Sequence, residues 1–416
     1  MKHVIKKKYL SISFTLTSPL GIGSGESNTT DKDIIRNTAG NPYIPATSIA
    51  GVIRERLENN ENSKDLVKRY LGDVDIKTGE TLESGIIFYD GNITPGDYHV
   101  SIRDSVALDK YKTAETGAKF DMEVLEPGVK FTTCVEQTFY DGDDDYIEKI
   151  AEAFSSGIAF GGKTTRGYGE IRVDEMRQVV FDLRSVDELK QWLDFNPEKY
   201  DKWESVDVLE GMSKSSSITV HLKQRGGLSI RRYTTEPSEN DVAQPDMEQL
   251  TAHGENGVEP VIPGTTWAGA IRHRMNEFGI DGEIESNLFG MVSGNEKKKS
   301  AIIFGESRLT GAKGKVISRN TIDRFTGGTK DAALFTEKTF YGGETDLVVS
   351  WSDAMDDNVI DALAATLTDL HYGFLAIGGE TSIGRGLFEI TKINGNSVGS
   401  DDVYQMIRGV LREVNR

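Results

Sequence analysis

Apolar and polar residues alternate from Tyr9 to Leu16, with Leu10, Ile12, Phe14 and Leu16 on one side. That two-residue period predicts a half-buried strand. The stretch Ser217–Leu222 has the same character. The period then lengthens. Ile49, Val52, Ile53 and Leu57 recur at helical spacing, and so do Trp267, Ala270, Ile271 and Met275. Apolar runs at Ile86–Phe88, Ile302–Phe304, Phe131–Phe139 and Thr345–Trp351 predict further strands. Ile147, Ile150, Ala151 and Phe154 predict a second helix, as do Ile360, Leu363, Ala364 and Leu367. Gly169–Val173 and Gly386–Ile390 close the two series as short strands.

The two series are one pattern written twice. Tyr43–Arg56 lies over Val261–Arg274, which places Pro45 over Pro263 and Arg54 over Arg272. Thr47, Ser48, Thr265 and Thr266 follow those prolines and can cap the helices. Gly51 and Gly269 fall inside them, where glycine costs ~1 kcal/mol against alanine; a doubled glycine there suggests close packing or a close ligand. Leu71-Gly72 answers Phe289-Gly290, and Val100–Phe120 answers Val316–Phe335 more loosely. Ser185-Val186-Asp187-Glu188 is a capping box before a short helix, and Ser400-Asp401-Asp402-Val403 opens a helix at nearly the same offset. A Ser-rich linker at residues 211–217 separates the halves, so the expected domains are 1–212 and 213–416. Each half reads β-α-β-β-α-β with insertions. The expected class is α+β, two tandem ferredoxin-like (βαββαβ, RRM-like) domains. In that arrangement helices cover one face of the sheet, and the open face is a common RNA platform.

Composition narrows the function. The chain has 416 residues, 37% hydrophobic and 27% charged, which is ordinary for a globular protein. No apolar run approaches the ~18 residues of a membrane span, and the basic start lacks the apolar core of a signal peptide. One cysteine, Cys134, excludes an internal disulfide and a Cys-rich zinc module. The expected compartment is the cytoplasm. The net charge of −18 argues against nonspecific coating of nucleic acid but leaves room for a narrow basic groove.

The last helix of each half meets the last strand through a glycine loop, Gly161-Gly162-Lys163-Thr164-Thr165-Arg166-Gly167-Tyr168-Gly169 and Gly378-Gly379-Glu380-Thr381-Ser382-Ile383-Gly384-Arg385-Gly386. Glycines let a phosphate approach backbone N–H groups closely, and Lys163, Arg166 and Arg385 add charge. One such loop alone reads more simply as a tight turn. It has no Gly-Lys-Ser/Thr ending and precedes a strand, so it is neither a Walker A motif nor a dinucleotide fingerprint. The six histidines are scattered and form no close pair in sequence.

Taken together these pieces resemble the repeat-associated mystery proteins (RAMPs) of CRISPR systems, and each half resembles the backbone RAMP subunit of type III effector complexes. The resemblance rests on four pieces: the early loop Leu20–Gly25, the Ile-Pro-Gly/Ala helix start with its following Gly and Arg, the segment Ile322–Gly328 close to the family's thumb region, and the glycine loop. Basic residues usually flank the helix glycine in that family. Here Ala50 and Val52, then Ala268 and Ala270, stand in those places.

The resemblance implies subunits arrayed along a guide (CRISPR) RNA. It implies a loop aspartate that cuts the bound single-stranded target RNA with a divalent metal, Mg²⁺ or Mn²⁺, inside a complex of other CRISPR effector subunits and away from any membrane. The aspartate falls on Asp31 in the first half and, across a longer following turn, on Asp246 in the second. Asp33 and Glu248 are supporting acids at i+2, and Glu26 and Asp241 are lesser candidates. Oxygen ligands in loops suit such metals, although spacing alone reads as solvated loop acids. The implied RNA contacts are Gly161, Gly162, Lys163, Arg166, Gly167 and Gly169, then Gly378, Gly379, Gly384, Arg385 and Gly386, with Arg54, Arg272, Arg319 and Arg324; Arg103 is a further candidate. Two alternatives stay open, a non-catalytic guide-binding scaffold and a nuclease that processes guide precursors.

Overall fold

The computed structural model describes residues 3–25, 30–58, 64–74, 79–108, 114–208, 216–232, 245–254, 257–293, 296–399 and 402–415. The chain divides into two compact units. Met1–Ile102, Met122–Thr164 and Tyr168–Lys214 form the first; Arg103–Asp121, Thr165–Gly167 and Ser215–Arg416 form the second. Two earlier segments thus join the second unit. The Ser-rich linker lies largely outside the described residues. No helix among the described residues is long and apolar enough to cross a membrane.

In the first unit, β1 (Val4–Leu16) leads to α1 (Ala46–Glu58) and α2 (Lys64–Leu71). Strands β2 (Ile86–Phe88) and β3 (Gly91–Ile93) follow, then β4 (Val100–Leu108) and β5 (Ala114–Leu125), most of whose residues belong to the second unit, and β6 (Lys130–Tyr140). Next come α3 (Ile147–Ser155), β7 (Ile171–Asp182), α4 (Val186–Leu193) and β8 (Glu204–Val206). Strand β1 pairs antiparallel with both β7 and β6, and β6 pairs with β2 and β3. Counting only the repeat's own strands, the order is fourth, first, third, second, which is the ferredoxin-like order.

Leu10, Ile12, Phe14 and Leu16 all enter the core, as their alternation requires. Phe14 stacks on Phe131 at 5.7 Å and also lies against Phe154 and Phe160. Helices α1 and α3 cover this face with Ile49, Ile53, Ile147, Ile150 and Phe154. The opposite face is not left open. Tyr9, Cys134, Val179 and Phe181 meet Trp192, Phe195, Tyr200 and Trp203 from the segment after β7, and the Trp192 indole donates to the Tyr9 hydroxyl at 2.9 Å. Burial here pushes both the Tyr9 phenol and the Cys134 thiol up to about 12. The expected open platform is therefore partly roofed in this unit, because the trailing segment carries four large rings that need cover from water.

The second unit repeats the plan. It runs β9 (Ser216–Arg225), α5 (Gly264–Glu277), α6 (Gly282–Phe289), β10 (Ile302–Phe304), β11 (Lys313–Ile322), β12 (Thr329–Tyr341), β13 (Glu344–Trp351), α7 (Asp357–Tyr372), β14 (Leu387–Ile393) and α8 (Val403–Val414). The sheet order is β10-β13-β9-β14, again second, third, first, fourth of the repeat. Its core takes Ile218, Val220 and Leu222 from β9 and Trp267 and Ile271 from α5. Helix α8 adds Val403, Ile407 and Leu411 to the same core, and Arg408 joins it to Asp361 on α7 at 2.5 Å. The other face mixes polar residues with Ile303, Val348 and Leu387. Thr219, His221 and Lys223 alternate with the core residues of β9, and His221 Nδ1 lies 2.5 Å from Asp346. That face has no Phe, Tyr or Trp among its described outward residues, so it lacks the rings on which bases stack.

Two local expectations change. Helices α1 and α5 start directly after Pro45 and Pro263 rather than at the Thr/Ser pairs; α5 has no side-chain cap, and Asp90 accepts from the Ala46 N–H of α1 at 2.7 Å. Proline suits a helix start because it has no N–H to leave unpaired. At α4, Ser185 caps as expected, but the Glu188 carboxylate reaches the Asp182 N–H.

Phe181→Ala is expected to cost about 3–5 kcal/mol by hollowing the aromatic roof. Urea unfolding followed by tryptophan emission reads this directly, since Trp192 and Trp203 line the site; a loss under ~1 kcal/mol would show that the roof does not stabilise the sheet.

Candidate functional site

Both glycine loops fold onto the loop that follows the first strand of their own half. The Gly162 N–H donates to Gly21 O at 2.8 Å and the Gly169 N–H to Pro19 O at 2.8 Å. The second copy repeats this with Gly379 to Ser229 O at 2.7 Å and Gly386 to Gly227 O at 2.8 Å. A Cβ on Gly169 would overlap the carbonyl of Phe160, and one on Gly386 the carbonyl of Ile377. Both residues also have positive φ. Glycine is required at these places by backbone packing inside the protein. Lys163 and Glu380 share the left-handed conformation, with φ 56° and 55°.

The loops differ in charge. At matched positions Lys163 faces Glu380 and Arg166 faces Ile383. Arg385 has no counterpart cation in the first loop and is only 5% exposed. Its guanidinium lies 2.8 Å from Glu337 on β12 and also bonds the Tyr341 hydroxyl. Arg319 reaches the same Glu337 carboxylate at 2.9 Å. Glu380 sits 3.3 Å from Arg231, 3.6 Å from Arg319 and 3.8 Å from Arg385. Burial works against the Arg385 charge, and Tyr341 and Glu337 more than offset it, so its pKa stands above the ordinary value. The result is an internal ionic knot that ties the second glycine loop to the β11–β12 hairpin.

Arg166 belongs to the second unit. It donates to Phe289 O at 2.9 Å and to Ser300 Oγ at 3.2 Å. Burial, with the like charge of Arg272, pulls its pKa down. Arg103 is buried in the same unit, 3.3 Å from Glu306. The helix arginines also turn inward. Arg54 donates to Leu71 O at 2.6 Å and Gly72 O at 2.9 Å, closing the end of α2. Arg272 lies 2.5 Å from Glu285. Of the arginines singled out from sequence, Arg324 stays exposed and without an ion pair among the described residues.

Asp31 is exposed in the loop before α1, and Asp33 beside it accepts from the Thr30 hydroxyl. This loop is clamped at both ends. The Ser24 N–H donates to Asp33 O at 3.0 Å, and the Glu123 N–H to Lys32 O at 2.9 Å. Glu123 in turn accepts from the Ile34 N–H and pairs with Arg36 at 2.9 Å. Asp246 is exposed too, but its carboxylate accepts from both the N–H (2.6 Å) and the hydroxyl of Thr336 on β12. Glu248 lies 3.7 Å from Lys338. Glu26 and Asp241 lie outside the described residues. Among the described residues no three His, Cys, Asp or Glu side chains converge as a metal cage. The histidines pair elsewhere: His221 with Asp346, His273 with Glu277, and His371 accepts from the Ile390 N–H.

One feature is missing from the sequence reading. The β11–β12 hairpin ends in a turn in which Asp323 Oδ1 accepts from the N–H groups of Phe325 and Thr326, both at 2.9 Å. This holds Phe325 98% exposed beside Arg324. An aromatic residue beside a cation on a hairpin tip can stack on a base and meet a phosphate. The signal was present in Asp323-Arg324-Phe325-Thr326-Gly327, an Asx-turn sequence, but exposure of the ring is a tertiary fact.

Glu337→Ala should cost about 3–5 kcal/mol, because it leaves Arg385 buried without its main acid. The pair Glu337→Leu with Arg385→Met should recover much of that loss. Equal losses in the single and double variants, measured by chemical denaturation, would refute the knot.

A family model described as the RAMP superfamily matches residues 13–172 and 225–389. No curated protein matches the chain. A solved chain titled "Type III-B Cmr-beta Cryo-EM structure of the Apo state" aligns with 41% of this chain and 96% of its own length, at 13% identity and a TM-score of 0.34. The two family matches take in most of both halves, including each glycine loop and each helix start: the chain belongs to the RAMP superfamily.

Proposed function

We propose that the chain is a backbone subunit of a type III-like CRISPR ribonucleoprotein, which holds guide RNA and cuts complementary single-stranded target RNA. Other effector subunits are its partners, and the cytoplasm is its compartment. The observation that carries this reading is the placement of Asp31: an exposed carboxylate on a loop clamped at both sides, next to the start of α1, in a doubled RAMP unit.

The chemistry follows from the carboxylate. Asp31 accepts the proton of a ribose 2′-OH. The 2′ oxygen then forms a bond to the adjacent phosphorus as the P–O5′ bond breaks. The products are a 2′,3′-cyclic phosphate and a 5′-OH, the leaving oxygen taking its proton from water. A general base of this kind contributes typically ~10²–10⁴-fold. Asp246 is the second base, and the N–H and hydroxyl of Thr336 both donate to its carboxylate. A divalent cation bound at Asp31 would polarise the phosphate oxygen. The donor set fits Mg²⁺ or Mn²⁺ only as a shared site, with Asp31 and Asp33 completed by the RNA phosphate and water. The grip on RNA falls to Lys163, the glycine-loop backbones, Arg324 and Phe325; the pairing of Arg54, Arg272, Arg319 and Arg385 gives those four a supporting part in holding the frame.

The assembled complex with a complementary RNA tests this. Asp31→Ala should remove one set of cuts by at least ~10²-fold, and Asp246→Ala a second set. EDTA should suppress both. Cutting unchanged in the double variant would leave a guide-binding scaffold in place of a nuclease.

A further inference from the structure

The segment that follows Asp31 is stitched on both sides, and alternate residues take alternate sides. On one side Asp33 O accepts from the Ser24 N–H at 3.0 Å, and the Ile35 N–H donates to Ile22 O at 2.9 Å. On the other, Lys32 O accepts from the Glu123 N–H at 2.9 Å. The next rung on that side is closed by a side chain. The Ile34 N–H donates to Oε2 of the Glu123 carboxylate at 3.0 Å.

Arg36 completes the rung. Its guanidinium spans both oxygens of Glu123, at 2.9 Å to Oε2 and 3.3 Å to Oε1, and also donates to Ile34 O at 3.2 Å. The Glu123 side chain is 17% exposed. Its N–H and both carboxylate oxygens are thus bonded to residues 32–36. Burial alone does not set the register of this segment. Ile34 is 3% exposed in the first core, but apolar contact is non-directional. A slip of one residue in an extended segment turns every side chain to the opposite face. It would turn Asp31 and Asp33 away and bring Lys32 round in their place. The second half holds its acid by another route: the N–H and hydroxyl of Thr336 bond the Asp246 carboxylate itself, and Glu248 lies 3.7 Å from Lys338.

We propose that Glu123 is a positioning residue for Asp31. Its carboxylate fixes the register of residues 32–36 so that Asp31 meets the ribose 2′-OH, and Arg36 sets the orientation of that carboxylate. Glu123 acts through the loop and not on the substrate. The role rests on the nuclease function proposed above, and it makes the two halves of the chain depend on different supports.

Glu123→Gln tests it in the assembled complex with saturating complementary RNA. The amide turns its N–H groups toward one of the two donors that the carboxylate accepts from. The Asp31 set of cuts should slow at least ~10-fold, since a misplacement of ~1 Å can cost ~10²-fold. The Asp246 set and the affinity for target RNA should stay as they are. Glu123→Gln combined with Arg36→Gln removes the competing donor and should recover most of the rate. In the RNA-free chain, amide exchange of residues 32–36 should quicken in the single variant. Unchanged exchange, an unchanged cutting rate, a loss confined to RNA affinity, an equal loss in both sets of cuts, or no recovery in the double variant would each overturn the role of Glu123. Asp31→Ala, run alongside, keeps the two ideas apart. If it leaves cutting intact, the nuclease reading falls and takes the role of Glu123 with it; if it stops its cuts while Glu123→Gln does not slow them, only the positioning role falls.

Discussion

The close meeting of backbone with backbone at the glycine loops governs much of this molecule. Gly169 and Gly386 press on carbonyls where no Cβ can stand, and the neighbouring N–H groups bond the loops that follow β1 and β9. The start and end of each ferredoxin-like half are thereby locked together. The loop after β1 leads to Asp31, so the position of the exposed acid depends on the same clasp. A phosphate-binding reading and a structural-turn reading of the loop thus converge in one respect. Gly169 and Gly386 are consumed inside the protein.

Electrostatics then separates two halves that share a fold. The first loop carries Lys163 and Arg166; the second carries Glu380 and a buried Arg385 tied to Glu337. In a strongly acidic chain, Arg54, Arg103, Arg166, Arg272, Arg319 and Arg385 are all engaged by carboxylates or carbonyls. Arg324 stays exposed beside Phe325 at a hairpin tip.

The repeat was legible because its elements obey simple periods. Leu10, Ile12, Phe14 and Leu16 enter one core, and Ile218, Val220 and Leu222 enter the other, as alternation demands. Helix starts were legible only to within a residue or two, since Pro45 and Pro263 begin helices without a side-chain cap from the following Ser/Thr. The arginines were the least legible feature. Arg54 and Arg385 look alike in sequence as cations near a glycine motif, yet one closes a helix end and the other holds a hairpin. Which acid or carbonyl reaches a guanidinium is a long-range matter: Glu337 is far from Arg385 in sequence and adjacent in space.

The sequence by itself determined the doubled βαββαβ plan, the membership of residues in each core and the two glycine turns, because period, chirality and steric exclusion act locally. Tertiary structure alone decided which charges remain available. It roofed one sheet with Trp192 and Trp203, gave the other no such ring among the described residues, buried Arg385, exposed Phe325 and brought Thr336 onto Asp246. Those outcomes depend on what distant segments bring to each group, and desolvation and pairing energies are fixed only when the chain has closed around them.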